Sequence, residues 1–251
     1  MSHPERFIRL KVRRQDGPGQ LSYWEEFDVP YRKNMNVVSA LMEIQRSPVN
    51  TNKERVRSVF WEYNCLEEVC GACSMLINGK VRQACSALID RLEQPITLEP
   101  MRTFPVEKDL IVNRQRMFDA LKTVKGWVAI DGTHAMGAGP RISPDEQQEA
   151  YRYSTCMTCG CCLEACPNVN DRSPFLGPQA MAQVRYFNLH PIGKMTERER
   201  LDAVVSREGI ANCGNSQNCV RVCPKEIPLT TALAELNRDA NRHMWRKLFR
   251  G

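Results

Sequence analysis

Apolar and polar residues alternate near the start of the chain in the manner of strands. Phe7, Ile8, Leu10 and Val12 form one run, and Trp24, Phe27 and Val29 the next, with the turn-forming stretch QDGPGQ between them. That pattern predicts a β-hairpin. Val37, Leu41 and Ile44 then share one face of a helix, as residues three and four apart do. Farther on, Ser74–Ile77 and Lys80–Ala84 flank Asn78-Gly79, a dipeptide that tolerates the left-handed backbone of a two-residue hairpin. Strands with a single helix predict a small α+β domain. Pro95, Pro100 and Pro105 punctuate its exit.

Beyond those prolines the period becomes helical. Met117, Leu121 and Val124 fall on one helical face, and Gly132, Gly137, Gly139 and Pro140 make a loop. Ser143-Pro144-Asp145-Glu146 reads as a capping box with proline at the first helical position. Thr196 to Glu199 repeats the box before Leu201, Val204 and Val205, with Gly209 as the stop. Leu229, Leu233, Leu236, Ala240 and Met244 mark a long terminal helix. The expected division is an α+β domain over 1–110 and an all-α domain over 111–251, with the boundary near 105–115.

Composition changes this picture at one point. Of 251 residues, twelve are cysteines, and they fall in three tight groups: Cys65 to Cys85, Cys156 to Cys166 and Cys213 to Cys223. A disulfide framework suits short secreted chains, and the N-terminus MSHPERFIRLKVRR has no apolar signal core. Structural zinc, as in a non-enzymatic interaction module, wants two Cys-x-x-Cys pairs a finger-length apart. Cys156, Cys159, Cys162 and Cys166 crowd into eleven residues instead. No apolar run approaches the ~18–20 residues that span a bilayer.

Iron–sulfur clusters fit the spacing. Cys65-x4-Cys70-x2-Cys73, with Cys85 farther on, is the plant-type [2Fe–2S] pattern, and Gly71 lets the loop fold between ligands. Cys70-x-x-Cys73 alone could be a thiol–disulfide motif, but Cys65 and Cys85 at these offsets argue against it. Cys156-x2-Cys159-x2-Cys162-x3-Cys166-Pro167 is the bacterial ferredoxin run, whose fourth cysteine serves the other cluster of a pair. The third group, Cys213-x5-Cys219-x3-Cys223-Pro224, completes the exchange. Cys223 joins Cys156, Cys159 and Cys162 on a [4Fe–4S] cluster, while Cys166 joins Cys213 and Cys219. That second set lacks a thiolate at the position of Ser216, which predicts [3Fe–4S]. Serine oxygen or water on a fourth iron is the alternative, and oxygen is a harder, poorer ligand here. Cys161, between two ligands, reads as a packed thiol.

The formal net charge is +6. Each oxidised cluster with its thiolates carries roughly −2, so the loaded chain is close to neutral and the charge points to no nucleic-acid partner. His3, His134, His190 and His243 sit in no metal spacing and read as surface or loop residues. No nucleophile–base set and no phosphate loop appears. Arg238, Arg242, Arg246, Lys247 and Arg250, with Trp245 and Phe249, could lie near anionic lipid; a solvated basic helix end is the simpler reading.

In LEEVCGACSMLING, CMTCGCCLEACPN and NCGNSQNCVRVCPKEIPL the chain resembles the iron–sulfur subunit of succinate dehydrogenase and fumarate reductase, respiratory complex II. The resemblance implies a β-grasp [2Fe–2S] ferredoxin domain followed by a helical ferredoxin domain with two clusters. It implies a flavoprotein partner carrying covalent FAD and a haem-bearing membrane anchor where quinone reacts. Electrons would pass from flavin through the three clusters to the anchor, or in reverse in a menaquinol:fumarate reductase. Many members carry tryptophan four residues after the first Cys-Pro proline and histidine after the first cysteine of the third group. Here those positions hold Asp171 and Gly214. These departures resemble the branch with a single two-haem anchor and menaquinone. They imply a peripheral subunit on the cytoplasmic face of a bacterial membrane, with quinone chemistry inside the anchor.

Overall fold

The computed structural model describes residues 6–128 and 141–250. The chain divides into two compact units, Met1–Arg114 and Gln115–Gly251. The loop expected at Gly132 to Pro140 lies outside the described residues, as do His3 and His134.

Unit one is built on a five-stranded sheet in the order β2-β1-β5-β3-β4. β1 (Phe7–Arg14) and β2 (Tyr23–Pro30) form the antiparallel hairpin expected from their alternation. Ile8, Leu10, Val12 and Arg14 point inward from β1. The three apolar side chains meet Phe27 and Val29 of β2, and Val37, Leu41 and Ile44 of α1 (Val37–Arg46), in one buried core. β3 (Ser74–Ile77) and β4 (Lys80–Gln83) pair across Asn78 and Gly79. Both turn residues have positive φ, at 48° and 73°, as a type I′ turn demands. β5 (Ile96–Glu99) lies between β1, to which it is parallel, and β3, to which it is antiparallel. The mixed sheet with a helix on its core is the arrangement the β-grasp resemblance implies.

Arg14 is the odd inward residue: it is fully buried, and so is Asp109. Asp109 has φ 47° and sits in the turn between β6 (Val106–Lys108) and β7 (Ile111–Val112). Its carboxylate accepts from Arg14 Nε at 3.1 Å, Arg57 Nη1 and Nη2 at 2.9 and 3.0 Å, and the amides of Gln15 and Phe60 at 3.0 and 2.9 Å. Arg14 also meets Glu25 and donates to the carbonyls of Arg57 and Ser58. This cluster fixes the irregular segment around Arg57 to Phe60 that runs toward the first cysteine loop. Burial pushes the Asp109 carboxyl up, but the hydrogen bonds from Arg57, Arg14 and the two amides outweigh it and hold the group below its ordinary value.

Unit two is helical among its described residues. α2 (Gln115–Thr123), α3 (Pro144–Ser154), α4 (Cys161–Glu164), α6 (Glu197–Val204), α7 (Asn218–Arg221) and α8 (Leu229–Arg250) surround or flank α5 (Pro178–Leu189). α5 touches α2, α3, α4, α6 and α8. The capping box at Ser143 and Glu146 is formed in both directions. The one expected at Thr196 is not: its side chain makes no cap hydrogen bond, because its hydroxyl accepts from the buried Arg200 at 2.7 Å. α6 also ends at Val204, well before Gly209. Gly209 serves a different need, since a Cβ there would land on the Val204 carbonyl. Gly209→Ala is expected to destabilise unit two by about 1–3 kcal/mol through forced backbone movement. An unchanged thermal midpoint would remove that role.

α8 buries Leu229, Ala232, Leu233, Leu236, Ala240 and His243. His243 was expected at the surface; its Nε2 instead contacts Asp202 Oδ1 at 2.8 Å from the buried face. Met244, expected on the core stripe, is exposed, as are Trp245, Leu248 and Phe249. Lys247 donates to the same Asp202 oxygen at 2.5 Å, so that basic residue is paired.

Candidate metal centres

Every cysteine is unbridged. The first group folds as a loop of successive amides around sulfur. Leu66, Glu68 and Gly71 have φ of 64°, 56° and 74°, which turns neighbouring N–H groups toward one side. The amides of Glu67, Val69 and Cys70 donate to Cys65 Sγ at 3.4, 3.3 and 3.2 Å, and that of Ala72 to Cys70 Sγ at 3.5 Å. Led by Glu67 and Val69, these donors hold the Cys65 thiol down at about 7. Burial pushes the Cys85 thiol up to about 12, and neighbouring Cys73 adds to the rise. The first and last cysteines of this group thus differ sharply in proton affinity.

Supports converge on this loop from residues whose role the spacing did not reveal. The Gln83 amide bridges Cys73 Sγ at 3.5 Å and Ser74 Oγ at 2.7 Å. Arg114 donates to the Ala72 carbonyl at 2.9 Å. Asn36 accepts from the Ser39 amide to cap α1 and donates to the Cys85 carbonyl, both at 2.8 Å. An asparagine just before an apolar helical run is an N-cap signal, so Asn36 was within reach of sequence reasoning; Gln83 and Arg114 carry no such signal.

In unit two the cysteines separate into two cavities. One is walled by Cys156, Cys159, Cys162 and Cys223, with Gln179, Ile227 and Leu229. The other is walled by Cys166, Cys213 and Cys219, with Asn168, Ser216 and Thr230. Cys161 enters neither lining and is fully buried. Thr158 and Gly160 have φ of 52° and 88°, so the run reverses direction between consecutive cysteines. Burial raises the thiols of Cys156, Cys166 and Cys223, pushes Cys162 far up, and takes Cys219 to about 11. Amides oppose it, from Thr158 at Cys156, Asn168 and Val169 at Cys166, and Ile227, Lys225 and Glu226 at Cys223. Thiols of this kind surrender protons to a bound cation, so loading iron releases protons. Among the described residues no His, Cys, Asp or Glu group closes on a single metal ion. Walls that gather three or four cysteines, with amides directed at their sulfurs, suit a polynuclear iron–sulfur core.

A family model described as a 2Fe-2S iron-sulfur cluster binding domain matches residues 9–119. One described as a 4Fe-4S dicluster domain matches residues 152–227. Fold and sites together define an electron-transfer protein made of a β-grasp [2Fe–2S] ferredoxin domain followed by a helical two-cluster ferredoxin domain. The succinate dehydrogenase iron-sulfur subunit of Bacillus subtilis is 60% identical over 98% of this chain and 97% of its own length. The chain belongs to the family of succinate dehydrogenase iron–sulfur subunits, and so serves an oxidoreductase as its electron-carrying component. The fumarate reductase iron-sulfur subunit of Wolinella succinogenes is 27% identical, covering 93% of this chain and 97% of that one. A chain of the Mycobacterium smegmatis Sdh1 complex in the apo form has the same fold, with a TM-score of 0.76 at 20% identity over 96% of this chain and 98% of that one.

Proposed function

We propose that this chain links the FAD of a flavoprotein partner to a haem-bearing membrane anchor in a succinate:quinone oxidoreductase. When bound, a [2Fe–2S], a [4Fe–4S] and a [3Fe–4S] cluster would supply one-electron redox steps in that order. Cys65, Cys70, Cys73 and Cys85 would hold the first, Cys156, Cys159, Cys162 and Cys223 the second, and Cys166, Cys213 and Cys219 the third. The observation that carries this reading is Ser216 in the wall of the three-cysteine cavity. Amide donors around each set would favour the electron-rich reduced state.

Quinone reduction is assigned to the anchor, with menaquinone as the acceptor. Gly214 supports this, because a Cβ there would stand 2.8 Å from Asn168 Oδ1, and the Gly214 amide donates to that oxygen at 3.3 Å. A histidine at this position has no room unless Asn168 moves. Among the described residues no helix is long and apolar enough to cross a membrane. We assign the chain to the cytoplasmic face, held there by its partners. The fumarate reductase relatives favour a second reading, the same subunit working in reverse. Copurified complex assayed with succinate and with fumarate separates the two. Paramagnetic resonance of the oxidised, loaded protein tests the clusters themselves: a three-iron signal is expected, and its absence overturns the assignment of the third site.

A further inference from the structure

Gln179 occupies the first turn of α5, just after Pro178, and is 2% exposed. It lines the cavity of Cys156, Cys159, Cys162 and Cys223. Its side-chain Nε2 and Oε1 are both buried without a hydrogen-bond partner. Folded proteins seldom leave a buried carboxamide wholly unpaired, because its desolvation is then uncompensated. The apolar residues in the same wall, among them Met117, Ile227 and Leu229, offer it nothing polar. Sulfur acceptors stand at the centre of that wall.

We propose that the Gln179 carboxamide donates an N–H···S hydrogen bond to the iron–sulfur cluster held by these four cysteines and thereby raises its reduction potential. This rests on the cluster assignment above. The sulfurs carry net negative charge that grows when the cluster accepts an electron. A donor aimed at them therefore binds the reduced form more strongly than the oxidised one. The carbonyl end of the carboxamide is repelled by the same charge, which orients the N–H end toward sulfur. Nothing in the cysteine spacing announces this residue.

The test is a redox titration of the loaded complex followed by paramagnetic resonance. Gln179→Met keeps the side-chain length and removes the donor. At a fixed ambient potential the reduced-to-oxidised ratio of the [4Fe–4S] cluster is expected to fall about tenfold, a shift of about 59 mV for one electron. The [2Fe–2S] potential, read in the same sample, is expected to stay put. Gln179→Leu removes both polar ends of the carboxamide, so its shift is expected to be of similar size. A [4Fe–4S] potential unmoved in either variant that retains the cluster overturns the proposal. Loss of the cluster from both variants assigns Gln179 a structural role and overturns it as well. A wild-type complex with no [4Fe–4S] signal sinks the earlier assignment instead.

Discussion

Ser216→Cys is expected to erase the three-iron paramagnetic signal of the oxidised protein and replace it with a four-iron centre of lower potential. Ser216 lies in the wall of the cavity that Cys166, Cys213 and Cys219 share. Asn215 and Gln217 on either side have φ of 51° and 60°, so the loop bends sharply around this residue. A thiolate there restores the full ferredoxin run, with ligands at residues 213, 216, 219 and 223. It adds a soft ligand where serine offers a hard one, and it adds negative charge. That charge disfavours reduction, by on the order of a hundred millivolts or more within the range these centres span. Electron flow to the anchor should slow accordingly. The measurement is resonance spectroscopy with a redox titration of the variant complex; persistence of the three-iron signal would contradict the proposed coordination.

The second large effect lies far from any sulfur. Asp109→Asn leaves Arg14, which is fully buried, and Arg57 without the carboxylate they both grip. A buried charge left wholly unpaired costs about 3–5 kcal/mol, and because Glu25 still pairs Arg14 the expected loss lies at or below the lower end of that range. The folded protein holds the Asp109 carboxyl below its ordinary value, because Arg57, Arg14 and two amides donate to it against the opposing effect of burial. Its contribution is therefore complete above the unfolded value and is lost as pH falls through the lower, folded one. Stopped-flow acid jumps, read at the [2Fe–2S] absorbance, are expected to show faster cluster loss in the variant at pH 7. The gap should persist down to about pH 4 and close below it. Equal rates at neutral pH would mean that the cluster does not hold the loop.

The parts of the molecule legible in sequence are those decided locally. The β1–β2 hairpin, α1, the Asn78-Gly79 turn and the Ser143 capping box each follow from neighbouring residues, and each is formed. Two features depended on distant partners and were not legible, and a third was misled by a near one. β5 is four residues long, bounded by Pro95 and Pro100, and earns its central place only by pairing with β1 and β3. α5 has no apolar stripe because other helices surround it, and it buries Gln179 and Asn188 beside Ala180, Met181 and Val184. The Thr196 signature was correct as a pattern, but Arg200 competes for its hydroxyl. The cysteines stood out because inorganic cores tolerate few spacings. Their supports, Gln83, Arg114 and Asn168, belong to residue types with too many other uses.

The cavity of Cys156, Cys159 and Cys162 is closed by Cys223. Its wall is therefore incomplete on a ribosome that has made the first three cysteines but not the fourth. The neighbouring cavity likewise pairs Cys166 with Cys213 and Cys219. Neither wall is complete during early synthesis, and a chain cut short before residue 223 lacks part of the first cavity's wall. Loading of either site therefore has to follow synthesis of the third cysteine group, so the order of translation sets the earliest moment at which this half can take up its metal.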